Sequence, residues 1–444
     1  MKKIKRKKHI RIIFSLYIVF GLMLNVFPTI VLAQDNEIIQ DQIQKEATSS
    51  KSAKASQVIS QDTTWNDKVE LSENLIVNSG VTLTINDQIT IKGDVTISGG
   101  GTIRRTNDYY GIVIEVPQNS KLSLENVTFD GDVVYGEYNE ATFTGDPVKL
   151  KPLAEFLGYD FTQRTGKDGT ALLIDINGGK LIMDEGAVLK NNATSAEARK
   201  NYYSAYPNDC NAVGIRAGGN FIMNGGVMTD MYGSAVGSTK EVGNSFVMNG
   251  GKITHSYGLA IIVNENSEMT MNGGEISYNV REQNNAVGIR GNDSKFTMNG
   301  GEICYNFGST GHYGTIMATN GSNQIVDLLG GKIHHNKGSY GTAIVTYNNT
   351  KTHIGGDIEI YSNGPGTTST TNCIWIGDNG ILLIDGDANI HDNTAGPTVL
   401  CDGQCVFAGN VKIENNKGTN SSAIHVRNGE LTIKDKVSVS NNVD

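Results

Sequence analysis

Cysteine is scarce, with five in 444 residues. An odd set of five in a chain this long, Cys210, Cys304, Cys373, Cys401 and Cys405, is not a disulfide framework, and its spacing matches no metal-binding pattern. Such residues pack as small apolar side chains. Cys401 and Cys405 are close enough in sequence to bridge across one turn. Long apolar runs are missing too: Ile12 to Leu24 falls short of the roughly 20 residues that span a bilayer. That run follows Lys2, Lys3, Lys5, Arg6, Lys7, Lys8 and Arg11 and precedes Val31-Leu32-Ala33, the layout of a secretory signal cleaved after Ala33. An uncleaved anchor is the other reading, and membrane contact is expected only through this segment. Beyond it, positive charge is thin. Without those seven basic residues the chain keeps 46 acidic against 30 basic ones, a formal charge of about −16. A secreted chain that acidic is a poor partner for nucleic acid. No Leu-Pro-x-Thr-Gly sorting signal and no apolar tail follow, and the sequence stops at Asn441-Asn442-Val443-Asp444 in mid repeat. We therefore expect a piece of a longer wall-attached protein, or an end shielded by a partner.

Glycine is abundant, with 53 residues, and it is periodic. Met-Asn-Gly-Gly occurs at Met223, Met248, Met271 and Met298, and the pair alone returns at Gly330-Gly331 and Gly355-Gly356. The second glycines, 226, 251, 274, 301, 331 and 356, step by 25, 23, 27, 30 and 25 residues, the signature of a repeat architecture. After each pair comes a short strand with one Ile (Ile253, Ile276, Ile303, Ile333), usually closed by Asn (Asn279, Asn306, Asn336). A strand opening Ala-Val or Ala-Ile follows, then one with apolar residues two apart, such as Phe246 and Met248. Period-two patterning in short runs is strand periodicity. Three short strands per repeat, each parallel to its equivalent, predict an all-β solenoid, a parallel β-helix. Counting the Val/Ile strand from Ile112 to Ile424 gives eleven rungs, a rod of about 50 Å. Glycine supplies the turn angles, Asn at a repeated turn stacks into an amide ladder, and the ring column His255, Tyr278, Tyr305, His335 stacks beside it, with structural rather than ligand histidines. The domain reading is a signal at 1–33, a mobile linker at 34–62 and the β-helix at 63–444, with insertions at 130–169 and 192–211.

The tagged coils, from about Leu71 onward, resemble the right-handed parallel β-helix of the pectate-lyase-like superfamily, and more closely the Gly-rich repeats of Gram-positive secreted surface proteins. The resemblance implies a fold and a bacterial surface setting. It leaves function open among polysaccharide lyases, glycoside hydrolases, adhesins and passive stalks. A lyase of this kind implies an acidic Ca²⁺ shell and an Arg or Lys base. The polygalacturonase signature is absent: Gly311-His312-Tyr313-Gly314 is not its Gly-His-Gly element, and no Asp-Asp pair occurs on a rung.

Column alignment selects the candidate residues. In the Val/Ile strand the third and fifth places point outward. The fifth-place column begins Glu115, Asp175, Arg216, and the third-place column begins Val113, Leu173, Gly214 and ends in an apolar stripe from Met317 through Trp375 to Leu400. Asp175, Arg216 and Glu115 are the catalytic candidates if the chain is an enzyme. Glu115 with Asp175 is the carboxylate pair for a hydrolase, and an ion pair across rungs is the plain alternative. The insertions carry Tyr159, Tyr202, Tyr203 and Tyr206, which with Trp375 are the candidate ligand-binding residues, since aromatic faces near carboxylates hold sugars or cations. The expected partner is an extracellular glycan or a host or cell-wall surface protein. Ca²⁺ is the one cofactor the enzyme reading would bring.

Overall fold

A computed structural model describes residues 55–106, 109, 111–132, 172–192, 211–231, 233–256, 258–281, 286–308, 314–338, 340–365, 371–418 and 423–444. The chain divides at Ala55/Ser56 into two compact units, and the described residues, Ala55 apart, belong to the second. The expected signal segment, 1–33, lies outside the described residues. Among them, no helix is long and apolar enough to cross a membrane.

The strands form three long sheets in which each strand pairs only with its equivalents one turn before and after. The first sheet runs from Ser56–Ile59 to Glu430–Ile433 and the second from Thr63–Trp65 to Ser438–Ser440, with 14 strands each. The third runs from Val69–Leu71 to Ile424–Val426 with 13. This is a parallel β-helix, roughly 65 Å long at the usual strand spacing. The Val/Ile strands counted in the sequence make up the third sheet, preceded by two more, Val69–Leu71 and Ile89–Ile91. The expected linker boundary at residue 62 is corrected: the first strand, Ser56–Ile59, pairs with Asn74–Val77. Only Ile59 of that strand is buried, so the apolar pattern there is too thin to read as a strand.

The tag works as one packing unit. Its second glycine has φ between 78° and 91° at Gly226, Gly251, Gly274, Gly301 and Gly331, a left-handed turn that side chains resist. There is no room for one either. A Cβ on Gly301 would lie 2.6 Å from the Met271 methyl and 2.7 Å from the Gly274 carbonyl oxygen. Each tag methionine fills the space that the next rung's glycine leaves, which ties Met to Gly-Gly in the sequence. The tag asparagine forms an exposed ladder: Asn249 donates to Asn224, Asn272 to Asn249 and Asn299 to Asn272, at 2.8 to 2.9 Å.

A second ladder runs inside the turn between the second and third sheets. Asn279, Asn306, Asn336, Asn363, Asn393, Asn416 and Asn442 are joined by six amide bonds of 2.8 to 3.1 Å. Each oxygen also accepts the backbone N–H of the previous rung, as Asn306 does from Asn279, and each nitrogen also donates to an Ile carbonyl, as Asn306 does to Ile276. The buried amides are thereby satisfied in series. To turn each Asn inward, the preceding residue takes a left-handed φ of 53° to 58°, at Tyr278, Tyr305, His335, Ser362, Asp392, Asn415 and Asn441, and His255 does the same before Ser256 one rung earlier. That conformation is costly for a ring residue. The rings offset part of the cost by stacking: His255 on Tyr278 at 5.3 Å, Tyr278 on Tyr305 at 5.1 Å, Tyr305 on His335 at 4.9 Å.

Inward apolar side chains from all three sheets fill one continuous core. Two cysteines in it, Cys401 and Cys405, form a disulfide, while the others described, Cys304 and Cys373, are free thiols.

Candidate functional site

Strand pairing corrects the alignment of the outer columns on the third sheet. Glu115 pairs with Asp175, and Asp175 with Gly214, not with Arg216. Arg216 instead pairs with Asn177. The slip is two residues, and it arises because the strands Ile114–Pro117 and Ile174–Asn177 both start two residues later than the counts from Ile112 and Leu172 assumed. A two-residue slip preserves the face, so the three candidates stay outward, but Val113 and Leu173 leave the column and are buried.

This offset builds the site. With glycine opposite Asp175, the Arg216 side chain has room to fold back diagonally and grip the carboxylate. Nε lies 3.1 Å from both oxygens and Nη2 2.8 Å from Oδ2. Arg216 Nη2 is also 3.6 Å from Glu115 Oε1. Gln88 and Asn177 donate to the two Glu115 oxygens at 2.7 and 3.0 Å. Asp175 is 0% exposed. Burial pushes its carboxyl above the ordinary value, with Glu115 and Glu241 adding to the rise and Arg216 opposing it. Gln88, Asn177 and Glu241 are members of this cluster that the columns alone did not reveal.

Chemically, the cluster is a clamp. Among the described residues, both carboxylates are already engaged by donors and a guanidinium occupies the space between them, so the set does not fit a Ca²⁺ shell, which needs several oxygens turned to one point. Freeing Arg216 as a base would break a largely buried ion pair, at a cost of about 3–5 kcal/mol.

Most of each expected insertion, residues 133–171 and 193–210, lies outside the described residues, and only the flanking strands can be placed. Asp130 pairs with Lys190 on adjacent rungs of the second sheet, and Asp130 accepts from Asn191 at 3.0 Å, tying the two departure points together. The chain re-enters at Leu172 and Asn211, where Leu173 donates to the Ala212 carbonyl. Tyr159, Tyr202, Tyr203 and Tyr206 lie outside the described residues.

Trp375 sits on the same outward column as Asp175, seven rungs further along, and it does not meet the clamp. It has a clamp of its own. Its Nε1 donates to Asp402 at 2.9 Å, Asp402 is buried and is held by Arg427 through Nε and Nη2, and Arg427 lies 6.0 Å from the Trp375 ring centre. Tyr340 and Tyr347 flank the indole at 5.8 and 5.1 Å. The expected apolar stripe is otherwise covered: Met317, Val345 and Leu400 are buried, and Trp375 alone of them is partly exposed. Part of the reason is a small fourth sheet of two-residue strands, Val280–Arg281, Phe307–Gly308, Lys337–Gly338 and Gly364–Pro365. It lies beside the third-sheet strands Gly314–Thr319 and Gly341–Thr346, and no periodicity in the loops announced it.

Comparison with protein-family models, with curated proteins and with solved structures returns no match for this chain.

Proposed function

We propose that the chain is an exported β-helix of the pectate-lyase-like kind, akin to the Gly-rich repeat proteins of Gram-positive surfaces, that serves as an adhesin-like or structural element and holds an extracellular glycan at Trp375. The observation that carries this reading is the partly exposed indole, fixed edge-on by Asp402 and flanked by Tyr340, Tyr347 and Arg427 on the third sheet. A preorganised aromatic with polar groups at its rim is how proteins hold sugar rings without chemistry. The sequence offers further tyrosines of the same chemistry, Tyr159, Tyr202, Tyr203 and Tyr206, outside the described residues. A surface protein of the host or cell wall is the other partner this face suits.

The alternative is a polysaccharide lyase or glycoside hydrolase working at Glu115, Asp175 and Arg216. The raised carboxyl of Asp175 favours it, since a general acid must hold its proton. The closed clamp around that carboxyl weighs against it. A glycan array with the purified chain from residue 34, with and without Ca²⁺, separates the two. Retention without product, lost in Trp375→Ala, supports adhesion. Unsaturated or reducing ends that vanish in Arg216→Ala would overturn it.

A further inference from the structure

The second sheet turns a mixed donor set outward on two neighbouring rungs. Cys304 and His334 are paired residues of the strands Glu302–Cys304 and Lys332–His334, so their side chains rise from one face a single strand spacing apart. Glu302, two places before Cys304, shares that face. One ligand atom from each residue, a thiol sulfur, an imidazole nitrogen and a carboxylate oxygen, lies within 4.8 Å of the other two.

We propose that Glu302, Cys304 and His334 form a zinc site, with water in the fourth position. Sulfur, nitrogen and oxygen in one set is the donor chemistry of Zn²⁺ and not of Ca²⁺ or Mg²⁺. Tetrahedral bonds of zinc put ligand atoms roughly 3.3–3.8 Å apart, and Glu302 Oε2 already stands 3.7 Å from His334 Nε2. The Glu302 side chain is 47% exposed and free to swing the remaining distance, whereas the other two donors sit on rigid strand backbone.

Two further observations point to a ligand. Cys304 is 3% exposed and in no disulfide, and among the described residues its sulfur has no hydrogen-bond partner. The equivalent residues on the two previous rungs, Thr254 and Ser277, are both hydrogen-bonded. The second observation is the ring of His334, which is fixed on three sides. It stacks on Tyr361 at 4.8 Å, meets Tyr305 edge-on at 5.7 Å, and brings its Nδ1 within 2.8 Å of His335 Nδ1. One of those two nitrogens must carry the proton. With His334 as donor, its lone pair is left on Nε2, the nitrogen facing Glu302, and His335 becomes the outer partner that orients a metal-bound imidazole.

Cobalt(II) added to the chelator-stripped full chain reads the site directly, because a thiolate bound to Co²⁺ gives a near-ultraviolet charge-transfer band. The wild-type protein should give that band, and one equivalent of Zn²⁺ should abolish it. Cys304→Ser and His334→Tyr introduce what the same column already carries at Ser277 and Tyr361, so the coil is preserved. Each should remove the band and weaken zinc by at least about 100-fold, more than an outer-partner change does. Glu302→Gln, at a half-exposed position, should weaken zinc at least about tenfold, and His335→Tyr should keep the band while weakening zinc by roughly 10–100-fold. Cys373→Ser should change nothing. A folded wild-type chain without the band overturns the proposal, as does zinc affinity that survives both Glu302→Gln and Cys304→Ser.

Discussion

Two stretches of the same solenoid are held together by different means. From Asn279 to Asn416 every turn between the second and third sheets is closed by a buried side-chain amide bonded to the next. From Glu115 to Arg216 no such series runs among the described residues: Met231 occupies the ladder position just beyond, and the rungs are tied instead by individual charges, Asp130 with Arg104, Lys190 and Asn191, and Asp175 with Arg216 and Glu115. Repetition makes a polar interior satisfiable because each member donates to the next. Where insertions break the repeat, each buried polar group needs its own partner, and those unique partners are where chemistry can be placed.

The largest effect should come from breaking the regular stretch at its middle. Asn306→Ala removes an amide that accepts from Asn279 twice and donates to Asn336 and the Ile276 carbonyl. With at least two buried groups left unpaired, each costing about 1–3 kcal/mol, a loss of roughly 3–5 kcal/mol is expected in urea unfolding. A loss below about 1 kcal/mol would mean that the ladder is a consequence of the stacking and not a support for it.

In the interrupted stretch, Asp175→Ala strands Arg216 beside Glu115. The loss should be about 3 kcal/mol, at the lower end for a broken buried pair, because the arginine is itself 30% exposed and recovers some hydration. The pH dependence has a definite sign. A carboxyl whose value is raised on folding contributes most below the ordinary value of about 4, and that contribution is lost as pH rises through the raised value. The stability advantage of wild type over Asp175→Asn should therefore shrink with rising pH across that window. An advantage that grows instead would show that Arg216 outweighs burial.

Legibility in the sequence follows the same division. The tag, the Asn positions and the ring column recur, so period and facing could be counted, and the rungs, the inner ladder and the stack of His255, Tyr278, Tyr305 and His335 were readable. Glu115 was rightly set beside Asp175, but the register between Asp175 and Arg216 was not readable, because an insertion separates the two rungs and both candidate starts, Leu172 and Ile174, are apolar. Contacts across rungs at single positions were hidden for a related reason. Cys304 opposite His334, and Asp402 under Trp375, depend on which residue falls opposite which, and loops whose varying length makes the repeat step range from 23 to 30 residues conceal that until the strands are paired. The stacking column itself changes course at this place, passing from His335 to His334, Tyr361 and His391, which a single-column alignment cannot represent.

Trp375→Phe gives a smaller and more selective effect. The ring is kept while the N–H that meets Asp402 is lost, and Arg427 continues to satisfy that carboxylate, so about 1 kcal/mol of stability is expected to go. Thermal unfolding checks the loss, and glycan retention checks whether the edge-on orientation matters separately from the aromatic face. Retention that falls while stability is unchanged would assign the indole to binding alone.

The smallest effect should come from the exposed ladder of the tag. Asn299→Ala removes one bond to Asn272 at 2.9 Å, yet both amides lie in contact with water, which replaces the lost partner. No more than about 0.5 kcal/mol is expected, the range of surface changes away from special features. The comparison with Asn306→Ala is then internal: the same residue type, the same kind of amide bond and neighbouring positions in one repeat, differing in burial. If the two variants cost the same, the inner ladder owes nothing to its dry surroundings, and the division between regular and interrupted rungs would have to rest on geometry alone.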